Sequence, residues 1–397
     1  MTTRHAVISG ASIAGLSAAF WLRRTGWDVT VLERSGAFRD GGQNVDVRGV
    51  ARDVLERMGL TEAIRAQNTT ETGTVLVDAS GKVTAELPSG PDGATAELEV
   101  LRGDFARTIL RHLPAGVEIG YGDPIAEVVD DTDAVTVTTA SGRVLRADLL
   151  VIAEGVRSAT RDRLFGDLVD RRDLGIAMVF GTIPRTTGDD DRWRWFTTVG
   201  GRQVHLRPDN HGTTRAILAY ARAEDLGRLD RADALARVRD RFADAGWETN
   251  RILDGFDRSE DVYIDNLTQI RMPTWHRGRV CLAGDAGWCV TPMGGGGASL
   301  ALVSGYVLAA SLSTTEPDRL DAALAAYEQW MRPLVDDVQN LPRWIVPFAY
   351  PQTRFGLTLR RLLDKALTSP KLAPLTAKLT QVAETDRALP PIAAAHA

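Results

Sequence analysis

The first thirty-three residues leave little choice of fold. A short apolar run, His5–Ser9, meets a turn bounded by glycines, Gly10-Ala-Ser-Ile-Ala-Gly15, and an amphipathic stretch from Ser12 to Thr25. A second, β-branched run, Asp28-Val-Thr-Val-Leu-Glu33, follows almost at once. This pattern reads as strand, helix and parallel strand, joined by a right-handed crossover.

The turn itself points to chemistry. Gly10 makes the tight turn and Gly15 lets the helix close on the strand, at the spacing of a dinucleotide fingerprint. Ser12 stands where a middle glycine would admit a pyrophosphate, but it is small and its hydroxyl can donate to phosphate. Ile13 and Ala14 complete the run. Glu33 ends the second strand eighteen residues beyond Gly15, where a carboxylate accepts from a ribose hydroxyl; Arg34 follows it. Taken singly, a packing turn and a solvated strand-end carboxylate are the plain alternatives.

Further along, hairpin signals flank Ser80-Gly81 and Ser141-Gly142. Between them Asp104–Leu113 reads as a helix with Asp104 as its N-cap. Leu149-Leu-Val-Ile-Ala and Val280–Ala283 read as strands buried on both faces, which return the chain to the first sheet. From Gly175 to Asn266 the pattern is strands plus one helix, Arg231–Ala245; beyond Ala283 it is mainly helical to the end. The expected class is α/β: a Rossmann-like dinucleotide-binding domain interrupted by a β-sheet substrate domain, with a C-terminal helical region. The expected divisions are 1–74, 101–172 and 269–345 for the first domain, 75–100 for a hairpin region at the edge of the second, 173–268 for the substrate sheet, and 346–397 for the C-terminal helices.

Bulk properties narrow the partners. A net charge of −5 leaves no basic excess to neutralise phosphates, so nucleic acid is not expected. Two cysteines, Cys281 and Cys289, supply neither a disulfide framework nor a metal cluster, and no metal is expected. The longest apolar tract, Ala298–Leu312, is too short to span a bilayer. No signal peptide is read at the N-terminus, and the expectation is a cytoplasmic protein, a monomer or weak homodimer.

Two later motifs join the fingerprint. Cys281-Leu-Ala-Gly-Asp285-Ala-Gly, then Thr291-Pro292-Met-Gly-Gly295-Gly296-Gly297-Ala, is a strand that emits an aspartate and a glycine loop that opens a helix. A helix N-terminus favours an anionic ligand. Asp148–Arg161 runs from a strand through Glu154-Gly155 to Ser158 and Arg161.

With these three in order, the chain resembles the class A flavoprotein monooxygenases of the aromatic-hydroxylase type, nearest their tetracycline-inactivating and actinobacterial natural-product branch. The resemblance covers residues 5–345 and departs at Ser12 and at Glu154, where the family has glycine and aspartate. It implies FAD bound by Gly10, Ser12, Ile13, Ala14, Gly15, Glu33, Arg34, Asp285, Pro292, Gly295, Gly296 and Gly297. It adds Asp46 or Arg48 at the flavin edge, Arg102 near the FAD phosphates, and Arg39 with Glu154 as the place for NAD(P)H. It implies substrate oxygenation with O₂ through a flavin C4a-(hydro)peroxide, by hydroxylation or Baeyer–Villiger insertion, in antibiotic biosynthesis or resistance. No catalytic side chain is named, because the chemistry is the cofactor's.

The interrupting sheet should form the substrate pocket. Its candidates are Phe180, His205, Arg207 and Tyr220, with His205 and Arg207 sharing one face by alternation. Rival readings are a flavin oxidase or dehydrogenase using O₂ as acceptor, a flavin-dependent halogenase, whose Trp-x-Trp-x-Ile-Pro is incomplete at Trp193-Arg-Trp195-Phe-Thr, and a binding module for a flat ligand.

Overall fold

The structure is a computed structural model and describes residues 3–87, 98–222, 224–226, 229–316, 318–367 and 387–393. Its organising element is a six-stranded sheet in the order His276–Arg277, Val280–Leu282, Leu149–Ile152, His5–Ser9, Asp28–Glu33, Val117–Tyr121. All neighbours are parallel except the first pair. The opening strands pair in parallel as read, His5 opposite Asp28 and Ser9 opposite Leu32. Residues Leu149–Ile152 are wholly buried, because helices cover both faces of a parallel sheet.

The apolar tract near residue 300 is one of those covers. Helix Gly297–Ser313 is buried along nearly its whole length and lies against helix Ile13–Arg24, where the Ser17 hydroxyl donates to the Leu302 carbonyl at 2.6 Å. Small residues allow that approach. No helix among the described residues is long and apolar enough to cross a membrane.

The second layer is a seven-stranded sheet in the order Tyr263–Arg271, Asp170–Pro184, Thr213–Ala221, Arg202–Pro208, Arg192–Thr198, Gly73–Val77, Val83–Leu87. One face, with Val179, Val204, Leu206 and Leu218, packs on helices Arg231–Phe242 and Thr249–Arg258. The other is the floor of the cleft described below. The second of these helices departs from the sequence reading, which had one. Its Gly255 looks like a helix breaker, but a methyl there would overlap the Ile183 side chain, so the glycine is what lets the helix seat on the sheet.

A further difference concerns residues 102–111. The helix begins at Arg102, with Leu101 as N-cap. Asp104 sits in its first turn and accepts from His211 Nε2 at 2.9 Å and Asn210 at 3.3 Å, tying the helix to the tip of a floor hairpin. The chain closes through helices Leu320–Gln339, Ile345–Ala349 and Arg354–Leu367. The expectation of helix at 368–386 and 394–397 lies outside the described residues.

Candidate active site

The three motifs meet at the carboxyl ends of the parallel strands. A methyl on Gly10 would overlap the Ala153 carbonyl oxygen, and one on Gly15 would overlap the Gly10 carbonyl oxygen. The fingerprint turn therefore closes onto the strand that leads to Glu154. A methyl on Gly284 would lie 2.8 Å from Ala14 Cβ, so the aspartate motif packs on the same helix. Ile13 and Ala14 are buried in these contacts.

This leaves a seat for an anion. Ser12 is the N-cap of helix Ile13–Arg24, yet its side chain caps nothing and no acid lies in the first turn. Its hydroxyl instead accepts from Arg102 Nη2 at 2.8 Å. Free first-turn amides with a guanidinium beside them fit a pyrophosphate. The adjoining cleft is lined by Ala11, Ser12, Glu33, Phe38, Arg39, Arg102, Gly103 and Ala106. Glu33 is oriented there by the Ala11 and Ser35 amides, both at 2.9 Å, and fits a ribose. Arg34 is exposed beside it.

Asp285 shows where the rest of a dinucleotide would run. Asp285 is exposed, yet the atoms around its carboxyl raise it by burial while Arg102 and the Cys289 thiol pull it down. A group both accessible and enclosed faces an internal cleft. Tyr263 is alike: it is 41% exposed, while burial raises its phenol against the pull of Arg102. Pro292 is exposed at the loop entrance and Gly295–Gly297 are partly open. Gly294 answers an internal need instead, since a methyl there would meet the Val338 carbonyl oxygen at 2.7 Å. Helix Gly297–Ser313 also begins with no side-chain cap and no acid. These features fit FAD.

Asp46 and Arg48 pair with each other, Arg48 Nη2 to Asp46 at 3.0 Å. Ser299 clamps their strand to the loop helix, accepting from the Arg48 amide at 3.1 Å and donating to the Asp46 carbonyl at 2.9 Å. Sequence carried no signal for Ser299, nor for Thr291. Thr291 is buried at positive φ, 64°, a costly conformation for a β-branched residue, and stands at the mouth of the glycine loop.

The floor carries a row of side chains across five strands: Tyr263, Phe180, Ile217, His205 and Trp195 are consecutive cross-strand neighbours. Phe180 stacks on Tyr263 with ring centres 4.7 Å apart. At the other end Trp193 and Trp195 stack at 5.4 Å, flanked by His205. Burial, then Arg207 and Arg360, hold the His205 imidazole down at about 3, so it is neutral. Its Nδ1 accepts from the Trp193 indole at 3.0 Å and its Nε2 donates to Gln203 Oε1 at 3.1 Å. His205 thus lies on the expected face, but both nitrogens are occupied and it orients Trp193 instead of contacting substrate through them.

Arg207 is corrected in the same way. Its guanidinium bonds Glu71 at 2.9 Å and Glu99, beneath the Trp193 ring at 4.0 Å. Tyr220 is on the wrong face: it packs edge-on to Phe242 within the helix-side core. From above, helix Arg354–Leu367 places Arg360 over Trp195 at 5.5 Å, and Gln203 donates to the Ala349 carbonyl at 2.7 Å.

Of the two residues expected at NAD(P)H, one is tied up internally. Glu154 accepts four hydrogen bonds, from Ser9 Oγ at 2.5 Å, Ser158 Oγ at 2.7 Å, and Thr160 Oγ1 and N at 2.7 and 3.1 Å. A carboxylate has about four acceptor positions, so none is left for a nicotinamide. Arg39 lines the cleft with Ser12 and Glu33.

Asp285→Ala and Glu33→Ala are expected to weaken FAD binding about tenfold or more, since a hydrogen bond to a charged group contributes roughly 1.5–3 kcal/mol. Titration of apoprotein by flavin fluorescence measures it; unchanged affinity in both would displace the cofactor from this cleft.

Known proteins agree with the geometry. The FAD binding domain family matches residues 3–341. An FAD-dependent monooxygenase of Sarocladium schorii, asL4, is 31% identical over 92% of this chain and 93% of its own. A flavin-dependent monooxygenase of Legionella longbeachae is 32% identical over 85% and 88%. The crystal structure of tetracycline destructase Tet(55) superposes with a TM-score of 0.81 at 28% identity, covering 97% of this chain and 99% of that one. The chain belongs to the FAD binding domain family and is a class A, FAD-dependent monooxygenase.

Proposed function

We propose that the enzyme uses NAD(P)H and O₂ to hydroxylate, or to oxygenate by Baeyer–Villiger insertion, a small, planar, largely apolar and uncharged substrate. The observation that carries this reading is the floor. Its row from Tyr263 to Trp195 crosses four strand spacings, roughly 19 Å at ~4.8 Å each, with the Phe180–Tyr263 stack at one end, the Trp193–Trp195 stack at the other and Ile217 between them. Two arginines beside the row already have acidic partners: Arg207 has Glu71 at 2.9 Å, and Arg215 has Asp209 at 2.9 Å and Asp261 at 3.2 Å. A carboxylate lying over the row would meet guanidinium groups that already have acidic partners, whereas a flat, neutral ring would find stacking surface at Tyr263.

FAD, once bound, would supply the redox chemistry that links NAD(P)H to dioxygen. The protein's part is to hold and to shield. Arg102, Ser12 and Glu33 anchor the dinucleotide; Asp285 and the glycine loop border its far end. Phe180 and Tyr263 orient a ring at the seam with the cofactor, and Met293, Val346 and Tyr350 close the neighbouring floor against water. The likeness to a tetracycline destructase makes a tetracycline the first ligand to try. The enzyme works in the cytoplasm as a monomer or weak homodimer. The test is whether NAD(P)H oxidation accelerates with such a ligand and delivers an atom of O₂ into it.

A further inference from the structure

Between the floor and the strand Asn44–Asp46 lies a buried knot of charge that the oxygenation chemistry does not use. Glu99 is 1% exposed, on the strand Glu99–Leu101, which pairs antiparallel with Asn44–Asp46. Its Oε1 accepts from Asn44 Nδ2 at 2.7 Å and from Arg207 Nη2. Its Oε2 is buried and has no partner, and neither has Asn44 Oδ1. Two acceptors of one amide–carboxyl pair are left facing an unfilled need for a single hydrogen. Electrostatics agree, for Arg207 is shared between two buried carboxylates, Glu71 and Glu99, and a dry site with one cation does not hold two anions well.

We propose that Glu99 carries a proton on Oε2, which it donates to Asn44 Oδ1 to close a cyclic acid–amide pair, and that this pair is the positioning element tying the flavin-edge strand to the substrate floor. Through Arg207 the same carboxyl underpins Trp193. Burial pushes the Glu99 carboxyl up to about 8 against the pull of Arg207, and Glu71 and Asp46 push the same way, while the Asn44 hydrogen bond opposes them. Asp46 is in turn paired with Arg48. The positioning role rests on the reading that Asn44–Asp46 borders the flavin; the proton does not.

The linkage has a definite sign. The folded protein holds a proton that the unfolded chain releases above about 4.5, so Glu99 lowers stability progressively from there to about 8 and no further. Glu99→Gln presents an amide N–H where the acid O–H stood. Its melting temperature relative to the parent is therefore expected to climb as pH rises from 4.5 to 8 and then level off; a parallel displacement at every pH would overturn the proposal. Infrared difference spectra of the parent holoenzyme, which need no variant to fold, should show a protonated-carboxyl band that fades as pH passes 8; its absence at pH 6 likewise overturns it. FAD affinity should fall about tenfold per pH unit above 8 in the parent and stay level in Glu99→Gln. A band with pH-independent FAD affinity in both proteins would remove the positioning role.

Discussion

Gly15→Ala is expected to destabilise the protein by about 3 kcal/mol or more and to leave it without FAD. In an ordinary helix this substitution stabilises by about 1 kcal/mol, because alanine is the better helix former. Here the added methyl would overlap the Gly10 carbonyl oxygen, with the Ile8 side chain 3.4 Å away. Gly10 lies in the sheet-to-helix turn, so a backbone atom and not a flexible side chain must move. Overpacking a core typically costs about 1–3 kcal/mol when side chains can give way, and rigid backbone pushes the figure up. The helix would lift from the strand, taking with it the amides that face the phosphates. Thermal unfolding and flavin content of the purified variant report both effects. A variant that binds FAD and melts above the parent would show that the turn is looser than described.

Glu154→Ala should lose a comparable amount, about 3 kcal/mol. Each hydrogen bond to a charged acceptor contributes roughly 1.5–3 kcal/mol. Four converge on this carboxylate, from donors on Ser9, Ser158 and Thr160 that are 4%, 0% and 1% exposed. Glu154 is half-buried, so water replaces part of the loss, which keeps the figure below the sum. The substitution parts the end of the first strand from the start of helix Ala159–Phe165, and reads out as a lower melting temperature. Parent-like stability together with a raised KM for NAD(P)H would instead restore the nicotinamide role that its position in the motif had implied.

These cases show what sequence exposes and what it hides. The strand–helix–strand unit at the N-terminus was legible because its signals are local: β-branched runs, a glycine turn and an acid at the right spacing. Burial of Leu149–Ile152 was legible from its unbroken apolarity. Partners brought in from a distance were not. Nothing near Glu154 announces that Ser9, 145 residues earlier, turns toward it. His205 and Arg207 did share a face, but the carboxyl groups that hold Arg207 come from the distant Glu71 and Glu99. Tyr220 was misplaced because the face of a strand depends on register. Ile217 pairs with both Phe180 and His205, which sends Tyr220, three residues on, to the opposite side. Tyr263 lacked any motif and emerged only once its strand took the sheet edge beside Phe180.

On the proposed reading, this floor presents a neutral, planar molecule for insertion of one oxygen atom from O₂. The most direct measurement is mass spectrometry of the product formed under ¹⁸O₂, with NADPH or NADH and a tetracycline or related flat polycycle, alongside the rate of NAD(P)H oxidation. Oxidation is expected to be slow without ligand, faster with it, and coupled to a product carrying one ¹⁸O atom; that outcome supports the proposed reading. Oxidation that ignores every ligand, with all the label recovered as hydrogen peroxide, would contradict it and make the protein an oxidase.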